Sequence, residues 1–235
     1  MKIRQWRELP GEAKSSRGGK CGVMRQIGIM GGTFNPVHTG HLMLAEWIRD
    51  ALRLDEVWFI PTGSSYMKDS REILSGRERL VMTELAVEDN PFFKCMGIEV
   101  EREGASYTYE TLEALGVAFP EDSFYFIAGA DCLFNIENWK YPNRIFERCI
   151  LAAAVRGGVS MDEMEDKKKE LERKFSSSHD RIRLIPFLNL PVSSTLIRRR
   201  IRENQSIRYL VPDKVISYIE EKGFYREKDE SFEKA

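Results

Sequence analysis

No apolar run in this 235-residue sequence approaches the roughly 18 to 20 residues that span a bilayer. That excludes a membrane-spanning helix within it. Charge of one sign is also lacking. Lys and Arg number 36 against 37 Asp and Glu, a formal net charge of −1. This balance argues against a general nucleic-acid binder, and a basic patch has to be local. The four cysteines, Cys21, Cys95, Cys132 and Cys149, are scattered with no CxxC pair. They read as small buried hydrophobes in a reducing compartment, which points to the cytoplasm and away from a zinc site. Neither a GxGxxG dinucleotide fingerprint nor a GxxxxGK[ST] phosphate loop occurs.

What is present suits one sizeable α/β domain. The hydrophobic fraction is 42% and the charged fraction 31%, both ordinary for a globular chain. Residues 1–24 stand apart, because they are rich in Lys, Arg, Gly and Ser and have no apolar periodicity. They also lack the apolar core of a secretory signal. They are expected to form a flexible extension, or to reflect a start upstream of Met24. The domain itself is expected over residues 25–225, followed by a polar tail over 226–235.

From Gln26 onward β-rich runs alternate with helical spacing. Strands are expected at Gln26–Met30, Val57–Ile60, Lys94–Val100, Phe124–Ala128, Cys149–Val155 and Arg181–Ile185. Helices are expected at Leu42–Leu54, Arg77–Val87, Thr108–Leu115, Thr195–Glu203 and Asp213–Lys222, the last stopped by Gly223. Ser160 and Glu163 form a capping box that opens a charged helix running to Phe175. Such alternation implies a doubly wound, mostly parallel sheet with a small helical C-terminal part. Ligands in such sheets gather at the carboxyl ends of the strands.

The loop after the first strand reads Gly31-Gly32-Thr33-Phe34-Asn35-Pro36-Val37-His38-Thr39-Gly40-His41. The glycine pair is expected to permit backbone angles closed to other residues and close approach of a phosphate. The helix that follows offers N–H groups and the positive end of its dipole to an anion. His38 and His41, three residues apart, would share a face in the first helical turn, which Gly40 leaves uncovered. A metal site would want a third ligand, and the segment carries no carboxylate. No protein metal site is therefore expected. A second anion cradle is expected at Ser193, Ser194 and Thr195, three hydroxyls at a helix start with Arg198 one turn in.

The run GGTFNPVHTGH resembles the signature of the nucleotidyltransferase superfamily that carries an HxGH motif, with Asn35 where its members more often have Asp. SSTLIRRRIRENQSIRYLVP is similar to the C-terminal motif of its nicotinate-nucleotide adenylyltransferase branch. Ser106-Tyr107-Thr108-Tyr109-Glu110-Thr111-Leu112 resembles that branch's SYTxxTL element. Gly129-Ala130-Asp131-Cys132-Leu133, with Trp139, resembles its GADxLxxLxxW element. The resemblance covers about Met24 to Tyr225.

It implies a Rossmann-like nucleotidyltransferase fold and adenylyl transfer from ATP to nicotinate mononucleotide, with Mg²⁺ arriving on ATP. The implied catalytic set is His41, Arg198, His38 and Lys68. ATP contacts would come from Gly31, Gly32, Thr33, Phe34, Asn35, Gly40, Gly129, Asp131 and Ser193 to Thr195. Asp131 would take a ribose. The nicotinate mononucleotide would meet Lys68, Tyr107, Thr108 and Trp139, with the indole on the pyridine ring. Lys68 closes a loop reading Ser65-Tyr66-Met67-Lys68, where the family usually ends Pro-Pro-His-Lys. The implied partners are these small molecules, with no nucleic acid or membrane, and self-association stays open. Competing readings are a sister enzyme for nicotinamide mononucleotide or phosphopantetheine, and a catalytically silent nucleotide sensor.

Overall fold

The structure is a computed structural model that describes residues 24–63, 73–155, 158–188 and 190–226. Six parallel strands form one sheet. They are β1 (Gln26–Gly32), β2 (Glu56–Pro61), β3 (Phe93–Cys95), β4 (Ser123–Gly129), β5 (Cys149–Val155) and β6 (Ile182–Pro186). Their order across the sheet is β3-β2-β1-β4-β5-β6. The near-continuous apolar character of β1, β2, β4 and β5 follows from burial on both faces.

Eight α-helices are described: α1 (Thr39–Leu52), α2 (Gly76–Val87), α3 (Thr108–Ala118), α4 (Ala130–Asn135), α5 (Pro142–Arg148), α6 (Met161–Lys174), α7 (Ser194–Arg202) and α8 (Asp213–Lys222). They cover the two faces separately. On one face Ile27, Ile29, Trp58, Phe126 and Leu151 pack with residues of α3 to α6, including Leu112, Leu133, Ile145 and Leu171. On the other Met30, Val57, Phe59, Ile127 and Ala152 pack with residues of α1, α2, α7 and α8, including Ile48, Met82, Ile197 and Ile219. Neighbours along a strand, such as Ile29 and Met30, fall in opposite clusters because side chains alternate.

The local start and stop signals act as read. Ser160 Oγ accepts the Glu163 N–H at 3.2 Å, and the Glu163 carboxylate accepts the Ser160 N–H at 2.7 Å. Gly223 ends α8 in the left-handed region at φ 64°. Two expectations need correction. The strand expected over Lys94–Val100 is only Phe93–Cys95. After Cys95 the chain turns on itself, with the Glu101 N–H bonded to the Gly97 carbonyl. Met96 and Ile98 are buried there as core residues of a turn, not of a strand. Short helices α4 and α5 also lie where no element was expected. Pro142 at the first position of α5 is the start signal there.

Reversal of strand order between β1 and β4 makes the switch point of the sheet. The loops leaving these two strands diverge to opposite faces and open a crevice between them. Near that crevice Gly63 packs against the Glu99 backbone. A Cβ on Gly63 would fall on the Glu99 carbonyl oxygen, which is backbone and cannot rotate away. Gly63→Ala is therefore expected to lower stability by about 2 to 3 kcal/mol. Chemical denaturation measures this, and a loss below about 0.5 kcal/mol would show that the turn yields.

Candidate active site

The loop after β1 is built differently from the sequence expectation in one respect. Gly31 and Gly32 are the last residues of the strand and are not among the positive-φ glycines of the described residues. The left-handed residue is Phe34, at φ 48°. Gly32 is needed for space: a Cβ there would lie 2.9 Å from the Phe34 ring. The ring is buried at 2% exposure. Phe34 meets His41 edge-on at 5.0 Å between centroids.

His38 occupies the N-cap of α1 and His41 the third helical position. The two rings stack at 3.7 Å between centroids, as the shared face of an i, i+3 pair allows. Gly40 stands beside this stack, and a Cβ there would press on the His38 ring at 3.1 Å. The His38 N–H donates to His41 Nδ1 at 3.2 Å. With Nδ1 accepting, the neutral His41 ring carries its proton on Nε2. His41 is thereby a hydrogen-bond donor at Nε2 without needing a positive charge.

The second cradle forms at the start of α7. Ser193 is its N-cap and accepts the Leu196 N–H at 3.1 Å. Ser194 donates its hydroxyl to the Pro36 carbonyl at 2.8 Å, which ties α7 to the first loop. Arg198 reaches the same loop, donating from Nη1 to the Asn35 carbonyl at 2.9 Å. Arg199 and Arg202 are exposed, as the fanning of the basic residues anticipated.

These pieces enclose a cavity of about 570 Å³. Its lining includes Thr33, Asn35, His38 and His41 from the first loop, and Ser193, Ser194, Thr195 and Arg198 from the second. Asp131, in the first turn of α4 just past β4, completes the wall from across the switch point. Residues 160 positions apart in sequence, such as His38 and Arg198, thus share one wall. Gly31 lies exposed at the end of β1. Lys68, with Ser65 to Met67, falls outside the described residues.

Of the residues expected around the nicotinate mononucleotide, Tyr107, Thr108 and Trp139 lie beyond that lining. Tyr107 takes the N-cap position of α3 and Thr108 begins the helix. Trp139 is half-buried and meets Phe126 edge-on at 5.8 Å. Phe126 in turn lies against Gly31, where an added Cβ would sit 3.5 Å from the ring. The indole is therefore one aromatic ring away from the start of the first loop. Ser106, the residue before the cap, keeps a buried hydroxyl with no hydrogen-bond partner among the described residues.

Sequence reasoning missed Arg79. It reads as one charge among several on a helix, yet it is 2% exposed. Its guanidinium donates to the carbonyls of Thr33 at 2.7 Å, Thr62 at 2.6 Å, Gly63 at 3.0 Å and Leu74 at 3.0 Å. Burial lowers its pKa, against the pull of Tyr225 and Glu99. Glu99 nearby is held above the usual carboxylate range by burial, opposed by the Thr111 hydroxyl and Arg102. No spacing signal marks such a residue, because its acceptors come from three separate segments.

The described residues contain no helix long and apolar enough to cross a membrane. They also contain no cluster of three or more His, Cys, Asp or Glu able to hold a metal ion. Residues 29–200 match the cytidylyltransferase-like family model. A "probable nicotinate-nucleotide adenylyltransferase" from Lachnoclostridium phytofermentans is 42% identical over 202 residues, covering 86% of this chain and all of the relative. A protein of the same name from Geobacillus thermodenitrificans is also 42% identical, covering 86% of this chain and 87% of the relative. Among solved structures, Plasmodium falciparum nicotinic acid mononucleotide adenylyltransferase complexed with NaAD matches at a TM-score of 0.70. It shares 20% identity, covering 86% of this chain and 97% of that one. At that identity the match speaks for the fold. With a family model over most of the domain and relatives matched nearly end to end, the chain belongs to the nicotinate-nucleotide adenylyltransferase family of nucleotidyltransferases.

Proposed function

We propose that the protein transfers the adenylyl group of ATP to nicotinate mononucleotide, giving nicotinate adenine dinucleotide and pyrophosphate, a step of NAD biosynthesis. The observation that carries this reading is the convergence of His38, His41, Arg198 and the Ser193–Thr195 hydroxyls on one cavity at the sheet's switch point. The names of the relatives support the choice of substrate.

The attacking group is a phosphate monoester, already close to doubly charged near neutral pH with a second pKa of about 6. It needs no strong general base. The difficulty lies in bringing two polyanions into line and in stabilising charge at the α-phosphorus and the leaving pyrophosphate. His41 contributes an Nε2–H and Arg198 a permanent cation to the same cavity. The ends of α1 and α7 add backbone N–H groups to the same wall. Thr195 and Ser193 supply hydroxyls for phosphate oxygens, and Asp131 a carboxylate for a ribose.

Magnesium fits this donor set as an ion carried by the nucleotide. Asp131 is the carboxylate on the cavity lining, accompanied by the hydroxyl oxygens of Thr33, Ser193, Ser194 and Thr195. Mg²⁺ takes one or two carboxylates with water and phosphate oxygens and needs no protein cage. When bound, it would neutralise charge on the triphosphate.

The test is pyrophosphate release with ATP and Mg²⁺, offering nicotinate mononucleotide, nicotinamide mononucleotide and phosphopantetheine in parallel. A preference for the acid of at least tenfold in kcat/KM, about 1.4 kcal/mol, is expected. Preference for the amide would keep the chemistry and overturn the substrate. Turnover with none of the three would favour a nucleotide-sensing role.

A further inference from the structure

We propose that Tyr225 is a positioning residue that acts through Asn35 to set the place of Arg198, so that the chain's C-terminal turn completes the active site. The inference rests on the reading of Arg198 as the cation for the reacting phosphates.

α8 packs beside α2, and Lys214 joins them by pairing with Glu88 at 2.6 Å and Asp89 at 2.9 Å. Gly223 then turns the chain through the left-handed region, and Tyr225 repeats that conformation at φ 65°. A tyrosine at positive φ is held there by its surroundings. Phe224 anchors the turn edge-on against Tyr218 at 5.7 Å. The result directs the Tyr225 hydroxyl inward, where it donates to Asn35 Oδ1 at 2.9 Å.

Asn35 is 4% exposed and serves as a junction. Its side-chain oxygen accepts the Tyr225 hydroxyl and, at 3.2 Å, the Leu74 N–H. An amide oxygen has two lone pairs, so these two donors occupy both. Its main-chain oxygen accepts Arg198 Nη1. Three segments distant in sequence, at Leu74, Arg198 and Tyr225, therefore meet on one residue of the first loop. Arg198 takes a bearing from a loop carbonyl, and the bonds to the Asn35 side chain help hold that carbonyl in place. Arg198 and Arg79 also lower the pKa of the Tyr225 hydroxyl, while burial raises it more strongly. The phenol thus remains protonated and able to donate.

Tyr225→Phe removes the hydroxyl and keeps the ring. In the full-length protein it is expected to lower kcat about tenfold, with both KM values within about twofold, since a small misplacement of a catalytic group costs rate. Arg198→Lys and the double variant complete a cycle. On the Arg198→Lys background the same change is expected to lower kcat by less than about twofold. A kcat for Tyr225→Phe within twofold of the parent would overturn the proposal. So would a tenfold loss carried undiminished into the Arg198→Lys background, which would mark a merely structural role. Arg198→Ala separates the two levels. If it is inactive while Tyr225→Phe is normal, only the positioning role fails. If it keeps parental turnover, the reading of Arg198 fails and takes this proposal with it.

Discussion

His41→Ala is expected to lower kcat by about 10²- to 10⁴-fold while the protein stays folded, a range set by the loss of one preorganised transition-state donor. The ring is only part-buried, and it lies on the cavity wall stacked on His38 and edge-on to Phe34. Its removal leaves no core cavity of the kind that unfolds proteins. What disappears is an Nε2–H already aimed by the bond from the His38 N–H to Nδ1. A donor fixed before the reaction needs no reorganisation when charge develops on the phosphate, and this is why its loss falls on kcat. The check is steady-state pyrophosphate release alongside thermal melting. A near-normal kcat would remove His41 from the mechanism. Unfolding of the variant would assign the histidine to stability.

Arg79→Met is expected to destabilise the fold by about 3 to 5 kcal/mol, because several buried acceptors lose their donor at once. Methionine fills much of the volume but leaves four backbone carbonyls, those of Thr33, Thr62, Gly63 and Leu74, without their donor. Buried acceptors without partners are costly, at about 1 to 3 kcal/mol each before relaxation. Arg79→Lys is expected to lose less, because an ammonium carries three donors but lacks the planar fork that spans these acceptors. Chemical denaturation of both variants decides it. A loss below about 1 kcal/mol for Arg79→Met would mean that the carbonyls find other donors or water. The first loop hangs from the Thr33 carbonyl, so activity is expected to fall further than the folded fraction does.

Much of the architecture was legible in order along the chain. The apolar runs at Gln26, Val57, Phe124 and Cys149 became central strands because burial on both faces demands uninterrupted hydrophobicity. The Ser160–Glu163 box and Gly223 marked helix ends because capping is local chemistry between residues a few positions apart. The Lys94–Val100 segment misled for the opposite reason. Met96 and Ile98 look like strand residues, but their burial comes from packing in one core cluster with Trp58, Ile60 and Leu112, which no local pattern reports.

The candidate site divides along the same line. Sequence alone determined the ingredients: a strand-to-helix loop bearing His38 and His41, a hydroxyl run opening the helix of Arg198, and a parallel sheet whose carboxyl edge would gather both. Each depends on short-range spacing and on the period of helix or strand. Only the tertiary structure decided that the two loops share a cavity with Asp131, that Ser194 and Arg198 hold the first loop by its carbonyls, and that Arg79 and Tyr225 brace it from behind. Those hydrogen bonds join atoms 46 to 190 positions apart. Hydrogen bonds of that kind obey distance in space, and spacing along the chain carries no trace of them.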